Sequence, residues 1–308
     1  MMTAPLFSVV VITFNQEEYI SHTLDSIIGQ DHKYSYEIII GEDCSSDGTR
    51  DILLRYQKRY PDIIRVILND RNLGLIKNYF STIKHCSGKY IMQCAGDDYW
   101  LPGKVRTQIK FMEDNPDVGM CCGNVQNLYL DGKMTKSNHK KRFCSIIELM
   151  KKNEIAAVSI CLRKIIFLEY IVAVNPIEKN WLIEDYPMHL WFVCNSKIYY
   201  LNELLAVYRL SKDSIMRQKK YDHMKQLLNS IMEMKRFFLN AYEIRFSEEN
   251  LRNSFYLGLA GYAVKYSQYK EYNAYIKKIP SYNIKIIIKK IIGKSPFLFK
   301  IYSLRREC

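Results

Sequence analysis

Acidic side chains are in short supply. There are 32 Asp and Glu against 45 Lys and Arg, which leaves a formal charge of +13 over 308 residues. A surplus of that size points to an anionic partner: nucleic acid, a nucleotide sugar or an anionic membrane surface. Long apolar runs are missing as well. No stretch approaches the roughly 20 apolar residues that cross a bilayer, and the longest tract near the C-terminus is cut by Lys285, Lys289, Lys290 and Lys294. Met1 to Pro5 is too short to hold a secretory signal before the first apolar run. The nine cysteines form no Cys-x-x-Cys pair and no Cys/His cluster at zinc spacing, which excludes the common zinc modules. Cys94, Cys121, Cys122 and Cys161 lie in apolar runs and read as buried, reduced thiols, so the expected compartment is the cytoplasm. There is no internal repeat or low-complexity segment, and no glycine-rich loop of the kind that cradles phosphates in nucleotidyltransferases.

Regular alternation is plentiful. Phe7 to Thr13 is a near-continuous β-branched run, the pattern of a strand buried on both faces. Asn15 follows as an expected N-cap, with Glu18 three residues on as in a capping box, and Ile20, Leu24, Ile27 and Ile28 recur at helical spacing. Tyr36 to Ile40 and Ile63 to Leu68 are expected strands. Helices are expected from Thr49 to Tyr60 and from Asn72-Leu73-Gly74 to Cys86, and a fourth strand starts at Lys89. Four strand–helix alternations in the first hundred residues predict a parallel sheet with right-handed crossovers. The polar residues Asn15, Glu42, Asp43, Asn72, Asp97 and Asp98 all follow strands, which gathers their loops on one rim, where open α/β sheets bind ligands.

Asp97 and Asp98 are the sharpest feature on that rim. Adjacent carboxylates at the end of an internal strand repel one another unless a cation or donor group joins them. An oxygen-rich pair of this kind suits Mg²⁺ or Mn²⁺, which in turn holds phosphates. Further on, a helix is expected from Pro102 to Asn115 and a strand from Val118 to Leu130, with a hairpin turn at Asp131-Gly132. Helices are expected at Ser145–Lys152 and Lys164–Val172, with a short strand between them at Ala156–Leu162. Pro187 suits a first helical turn, which places Asp185 just before a helix running to Asn195. Lys197 to Tyr208 returns as a strand. From about Ser211 helical spacing takes over, and the stretch from Lys265 to Cys308 is basic, with isoleucines and aromatics interleaved. This is the pattern of an interfacial amphipathic segment or of a helical cap with a solvated basic face.

Val9-Val10-Val11-Ile12-Thr13-Phe14-Asn15, Glu42-Asp43-Cys44-Ser45-Ser46-Asp47-Gly48-Thr49, Asn72-Leu73-Gly74 and Gly96-Asp97-Asp98-Tyr99-Trp100 stand in the order and spacing of family 2 glycosyltransferases. The resemblance is strongest over residues 6 to 120 and continues through Glu184-Asp185 and Tyr208-Arg209. It implies a GT-A-type, Rossmann-like, mostly parallel sheet flanked by helices over residues 1–210, followed by a helical region over 211–308. It also implies metal-dependent, inverting transfer from a nucleoside-diphosphate sugar. Carried over position by position, Thr13, Asn15, Glu42, Asp43, Asn72 and Lys77 would hold the donor, together with Asp97. Asp97 and Asp98 would hold Mn²⁺ or Mg²⁺, Asp185 would be the general base, and Glu184 would orient or replace it. Two departures stand out. Ala95 occupies a position where relatives often carry an acid, and Ser211 and Asp213 follow Arg209 where many carry a histidine.

The expected activity is transfer of a sugar, from a UDP-sugar, to a hydroxyl of a glycan or lipid-linked glycan in bacterial surface-polysaccharide assembly. The basic tail would hold the enzyme peripherally at the inner face of the membrane. The alternatives are a non-catalytic nucleotide-sugar-binding protein and a basic nucleic-acid-binding protein. The second is disfavoured because the cations concentrate in the tail and do not surround an aromatic platform.

Overall fold

The computed structural model describes residues 4–210, 220–280 and 284–307, and the chain divides into two compact units, Met1–Lys212 and Asp213–Cys308. In the first unit β1 (Phe7–Thr13), α1 (Ile20–Ile28), β2 (Tyr36–Glu42), α2 (Thr49–Arg59), β3 (Ile64–Leu68), α3 (Leu75–Ile83) and β4 (Tyr90–Ala95) follow the expected alternation. β5 (Tyr99–Trp100), α4 (Lys104–Asp114), β6 (Val118–Leu128), β7 (Met134–Lys136), β8 (Arg142–Phe143) and α5 (Ile146–Lys151) come next. They are followed by β9 (Cys161–Arg163), α6 (Lys164–Val174), α7 (Asp185–Asn195) and β10 (Lys197–Arg209).

Among the described residues all ten strands join one sheet, whose central path runs β3-β2-β1-β4-β9-β6-β10-β5. β1 is parallel to both β2 and β4, β2 to β3, and β10 to β6, while β9 runs antiparallel between β4 and β6. The sheet is therefore mixed and mostly parallel. The β-branched runs predict β1 and β2 because both faces of these strands are covered: Val9, Val11, Ile38 and Ile40 are buried on one face with Ile20, Leu24 and Leu53 from the flanking helices, and Val10 and Ile39 are buried on the other. Cys94, Cys121, Cys122 and Cys161 are buried in this interior, as their apolar neighbours predict.

Two expectations are corrected. Residues 156–162 are not one strand: a 3₁₀ turn at Ala157–Ser159 precedes β9, which starts at Cys161. Asn15 does not cap α1. It adopts a left-handed conformation (φ 52°), and its side-chain oxygen accepts the Ser46 amide at 2.8 Å, so the residue serves the neighbouring loop while α1 starts at Ile20 with no side-chain cap.

The second unit is helical: α8 (Tyr221–Ala241), α9 (Glu248–Lys265), α10 (Tyr269–Lys277), α11 (Ile284–Gly293) and α12 (Pro296–Glu307). Ala260, Ala263, Val264, Tyr272, Ile276, Ile286 and Phe299 form its core. Among the described residues no helix is long and apolar enough to cross a membrane.

Candidate active site

The parallel register aligns the carboxyl ends of the central strands. Thr13 stands opposite Glu42 and Ile12 opposite Ala95, so the loops after β1, β2 and β4 emerge side by side. The first two loops are laced together. The amide of Asn15 donates to Ser45 Oγ at 3.0 Å, the amide of Glu17 donates to Asp47 Oδ2 at 3.1 Å, and Glu17 Oε2 accepts the Gly48 amide at 2.6 Å. The Thr13 hydroxyl donates to Gln16 Oε1 at 2.7 Å, directly against Gly96. A Cβ at Gly96 would lie 2.9 Å from Thr13 Cβ, so only glycine lets the β4 loop pass this close.

Glu42 and Asp43 are buried and committed. Glu42 is fully buried, pairs with Arg50 at 2.6 Å and accepts the Ser45 amide. Asp43 Oδ1 accepts the Asn69 side chain at 3.0 Å and the Leu73 amide at 2.8 Å, and its Oδ2 accepts the Gly74 amide at 2.9 Å. One carboxylate thus pins the loop that leads into α3. Asn72 is exposed and accepts the same Gly74 amide at 3.0 Å, and Lys77 is exposed on α3.

Beyond β4 the chain turns through Asp97 and Asp98 and returns as β5, antiparallel to the end of β10, with Tyr99 opposite Val207 and Trp100 opposite Ala206. This return brings Arg209 onto the acidic pair. The Arg209 amide donates to Asp98 Oδ1 at 2.8 Å, and its guanidinium donates to the Asp97 carbonyl at 2.7 Å. The guanidinium also donates to His22 Nδ1 at 2.6 Å and lies over the rings of Tyr99 and Tyr19, at 4.7 and 5.1 Å. Burial, helped by the neighbouring Arg209 charge, lowers the His22 pKa and favours the neutral ring that accepts this bond. The Thr23 hydroxyl lies within hydrogen-bond reach of the carbonyls of Gly96 and Asp98, at 2.8 and 2.7 Å, and fixes the turn from below.

Asp98 is almost fully buried, and desolvation, then the Asp97 charge, raises its pKa well above the ordinary carboxylate range. Asp97 is half-buried. Among the described residues no three His, Cys, Asp or Glu side chains gather as a ready-made metal site. The pair nevertheless fits Mg²⁺ or Mn²⁺ by its chemistry. Adjacent carboxylates are hard oxygen donors, a cation beside them would offset the Asp97 charge that adds to the burial of Asp98, and such ions commonly complete their shell with phosphate oxygens and water.

Glu184 and Asp185 lie at the start of α7. Asp185 is the first helical residue, and its Oδ1 accepts the Tyr186 amide at 2.6 Å. Desolvation raises both pKa values. The two charges disfavour one another, so the pair takes its second negative charge at higher pH than its first. Their charges are felt by buried Tyr79 of α3 and Tyr170 of α6. α3 begins at the Gly74 loop that Asp43 holds.

The structure therefore brings Thr13, Asn15, Glu42, Asp43 and Asn72 into one bonded set of loops. It joins Asp97 and Asp98 to Arg209, and sets Glu184 and Asp185 at the start of α7. Arg209 and Tyr99 lay inside recognised motifs without an assigned role, and His22 and Tyr19 carried no signal, since nothing in a helix pattern tells which strand end a helix surface will meet. Ser211 and Asp213 lie outside the described residues.

The fold is thus a Rossmann-like, mostly parallel sheet with an acidic turn at the carboxyl end of its fourth strand. The chain belongs to Glycosyl transferase family 2, whose sequence model matches residues 8–169. It is 32% identical to the uncharacterized protein Rv1520 of Mycobacterium tuberculosis over 206 residues, which cover 66% of this chain and 58% of that protein. It is 25% identical over 220 residues to the Escherichia coli UDP-Glc:α-D-GlcNAc-diphosphoundecaprenol β-1,3-glucosyltransferase WfgD, covering 70% of this chain and 81% of WfgD. Among solved structures, Staphylococcus aureus TarS 1–349 in complex with UDP-GlcNAc superposes with a TM-score of 0.58 at 16% identity, covering 96% of this chain and 91% of that one. The mannosyltransferase PcManGT of Pyrobaculum calidifontis, in complex with GDP-Man and Mn²⁺, superposes with a TM-score of 0.55 at 14% identity, covering 99% and 89%. These two likenesses establish the fold.

Proposed function

We propose that this chain is an inverting glycosyltransferase that moves a sugar from a UDP-sugar to a hydroxyl of a glycan or lipid-linked glycan in the assembly of a bacterial surface polysaccharide. The observation that carries the reading is the turn at Asp97 and Asp98, set on the aligned ends of β1, β2 and β4 and backed by Arg209. The names of the relatives supply the rest: WfgD uses UDP-Glc and a diphosphoundecaprenol-linked acceptor, and TarS was solved with UDP-GlcNAc.

In this reading the base and ribose lie over the laced loops, where Thr13, Asn15 and Asn72 present polar groups and the buried Glu42 and Asp43 keep the loops in shape. Lys77 and Asp97 contact the donor from the rim. Asp97 and Asp98 hold the divalent cation, which supplies charge neutralisation to the leaving diphosphate. PcManGT, which shares the fold, was solved with Mn²⁺. Asp185, at the start of α7, accepts the proton of the acceptor hydroxyl. The hydroxyl oxygen bonds to the anomeric carbon as the bond to the diphosphate oxygen breaks, leaving UDP and a glycoside of inverted configuration. Glu184, its neighbour in the chain, orients Asp185.

The test is a panel of nucleotide sugars and diphospholipid-linked acceptors, with Mn²⁺ present, read by nucleoside-diphosphate release and by product stereochemistry. Turnover that depends on both substrates, gives the inverted product and is lost in Asp98→Asn and Asp185→Asn is expected. Donor binding without turnover on any acceptor would replace the enzyme with a binding protein.

A further inference from the structure

The charge of this protein is unevenly placed. The first unit holds 26 Lys and Arg against 24 Asp and Glu, and the second holds 19 against 8, so +11 of the +13 belongs to residues 213–308. Within the second unit, α11 and α12 are apolar on two faces. The inner face is accounted for: Ile286 and Phe299 are buried, and Phe299 packs on the rings of Tyr269 and Tyr272 at 5.4 and 5.2 Å. The outer face is bare. Ile287, Ile288 and Ile291 on α11 are 44 to 51% exposed, and on α12 Phe297 is 71%, Ile301 40% and Leu304 54% exposed. Spacings of three and four put each set on one stripe of its helix. Lys285, Lys289, Lys290, Lys294 and Lys300 are interspersed, and no Asp or Glu occurs from Ile284 to Leu304.

We propose that α11 and α12 form a peripheral membrane-binding element that sets this stripe into the headgroup boundary of an anionic bilayer. Bare isoleucines and a phenylalanine on a helix pair are costly in water and gain free energy where acyl chains begin. Lysines beside such a stripe reach the lipid phosphates while their stems cover apolar surface. The charge chooses among the occupants of the face. A second copy would bring its own lysines against these with no acid in either stripe, and the cost would rise with each pair. Nucleic acid would satisfy the lysines but leave the isoleucine stripe without an apolar partner. An anionic lipid surface satisfies both. Neither helix can span, so the contact is reversible and weakens with salt.

The experiment is co-sedimentation of the full chain with vesicles of phosphatidylcholine alone and of phosphatidylcholine mixed with phosphatidylglycerol. It uses neither donor nor acceptor, so its failure leaves the glycosyl-transfer reading intact, and the reverse also holds. Binding to the mixed vesicles is expected, weak on phosphatidylcholine alone and falling as salt rises. Glutamine at Lys285, Lys290, Lys294 and Lys300 is expected to weaken it by about fivefold per lysine. Ile288→Glu with Phe297→Glu is expected to abolish it, with helicity by circular dichroism unchanged in both variants. Equal binding to both vesicle types, or no binding to either at low salt, overturns the proposal. So does sedimentation as a dimer that the double glutamate variant breaks, or competition of the mixed vesicles by a mixed-sequence oligonucleotide with insensitivity to that variant.

Discussion

At the scale of single residues, the chemistry turns on which acid is charged at neutral pH. Burial raises both Asp185 and Glu184, and the charge of either disfavours that of the other. The pair therefore takes its first negative charge above the ordinary carboxylate range, and in the proposed reaction Asp185 is the member that acts as base. Asp185→Asn should cost about a thousandfold in turnover, within the range for loss of a general base, with donor affinity retained. The pH profile carries the sign. The base works only when ionised, so the acid limb of kcat/KM should lie above the ordinary carboxylate range of about 4. Glu184→Gln should leave that limb above the ordinary range, because burial is the first cause of the Asp185 shift. Stability follows the opposite course. A raised carboxylate binds its proton more tightly in the folded chain, so its contribution is full below the unfolded pKa and is lost as pH rises through the folded one. The midpoint of urea unfolding should therefore fall from mildly acid pH upward, and Glu184→Gln should flatten part of that fall. An unchanged slope would remove Glu184 from the account.

At the scale of elements, the site depends on loops held by buried acids. Asp43 accepts three donors from the segment 69–74. Asp43→Ala strands the Leu73 and Gly74 amides and should cost about 3 kcal/mol, or roughly 10 °C in a unit of this size. If Asp43 acts only through the loop, Asp43→Asn should recover part of the stability and of the donor affinity together; recovery of stability alone would mean that its charge meets the donor. Gly96→Ala should cost about 1–3 kcal/mol by overpacking against Thr13. The strands were legible because burial on both faces writes itself as β-branched runs, and the rim was legible because polar residues follow those runs. The role of Asp43 as a staple was not, since its partners lie some thirty positions on. Nor was the failure of Asn15 to cap α1, because its partner, the Ser46 amide, belongs to the next loop. The Arg209 cage needed the fold too: His22 and Tyr99 meet only because β5 turns back along β10.

At the scale of the whole molecule, the two units divide the physics as well as the chain. The first is nearly neutral and carries the acidic rim, and the second carries the cationic surplus. All three tryptophans, Trp100, Trp181 and Trp191, belong to the first unit, and Trp100 is two residues beyond Asp98. Tryptophan fluorescence on heating therefore reports on the unit that holds the proposed donor site. A ligand that binds only the folded state at a hundred times its Kd stabilises by about 2.7 kcal/mol. For a unit of this size that corresponds to a rise of roughly 5–10 °C in the fluorescence midpoint. UDP-sugar with Mn²⁺ should produce that rise. If Asp97 and Asp98 hold the cation and the cation holds the diphosphate, chelation with EDTA should cancel most of it, and Asp98→Asn should do the same with Mn²⁺ present. A rise that survives both would show that the donor is held by the laced loops and Arg209 alone, and the acidic turn would then need another explanation.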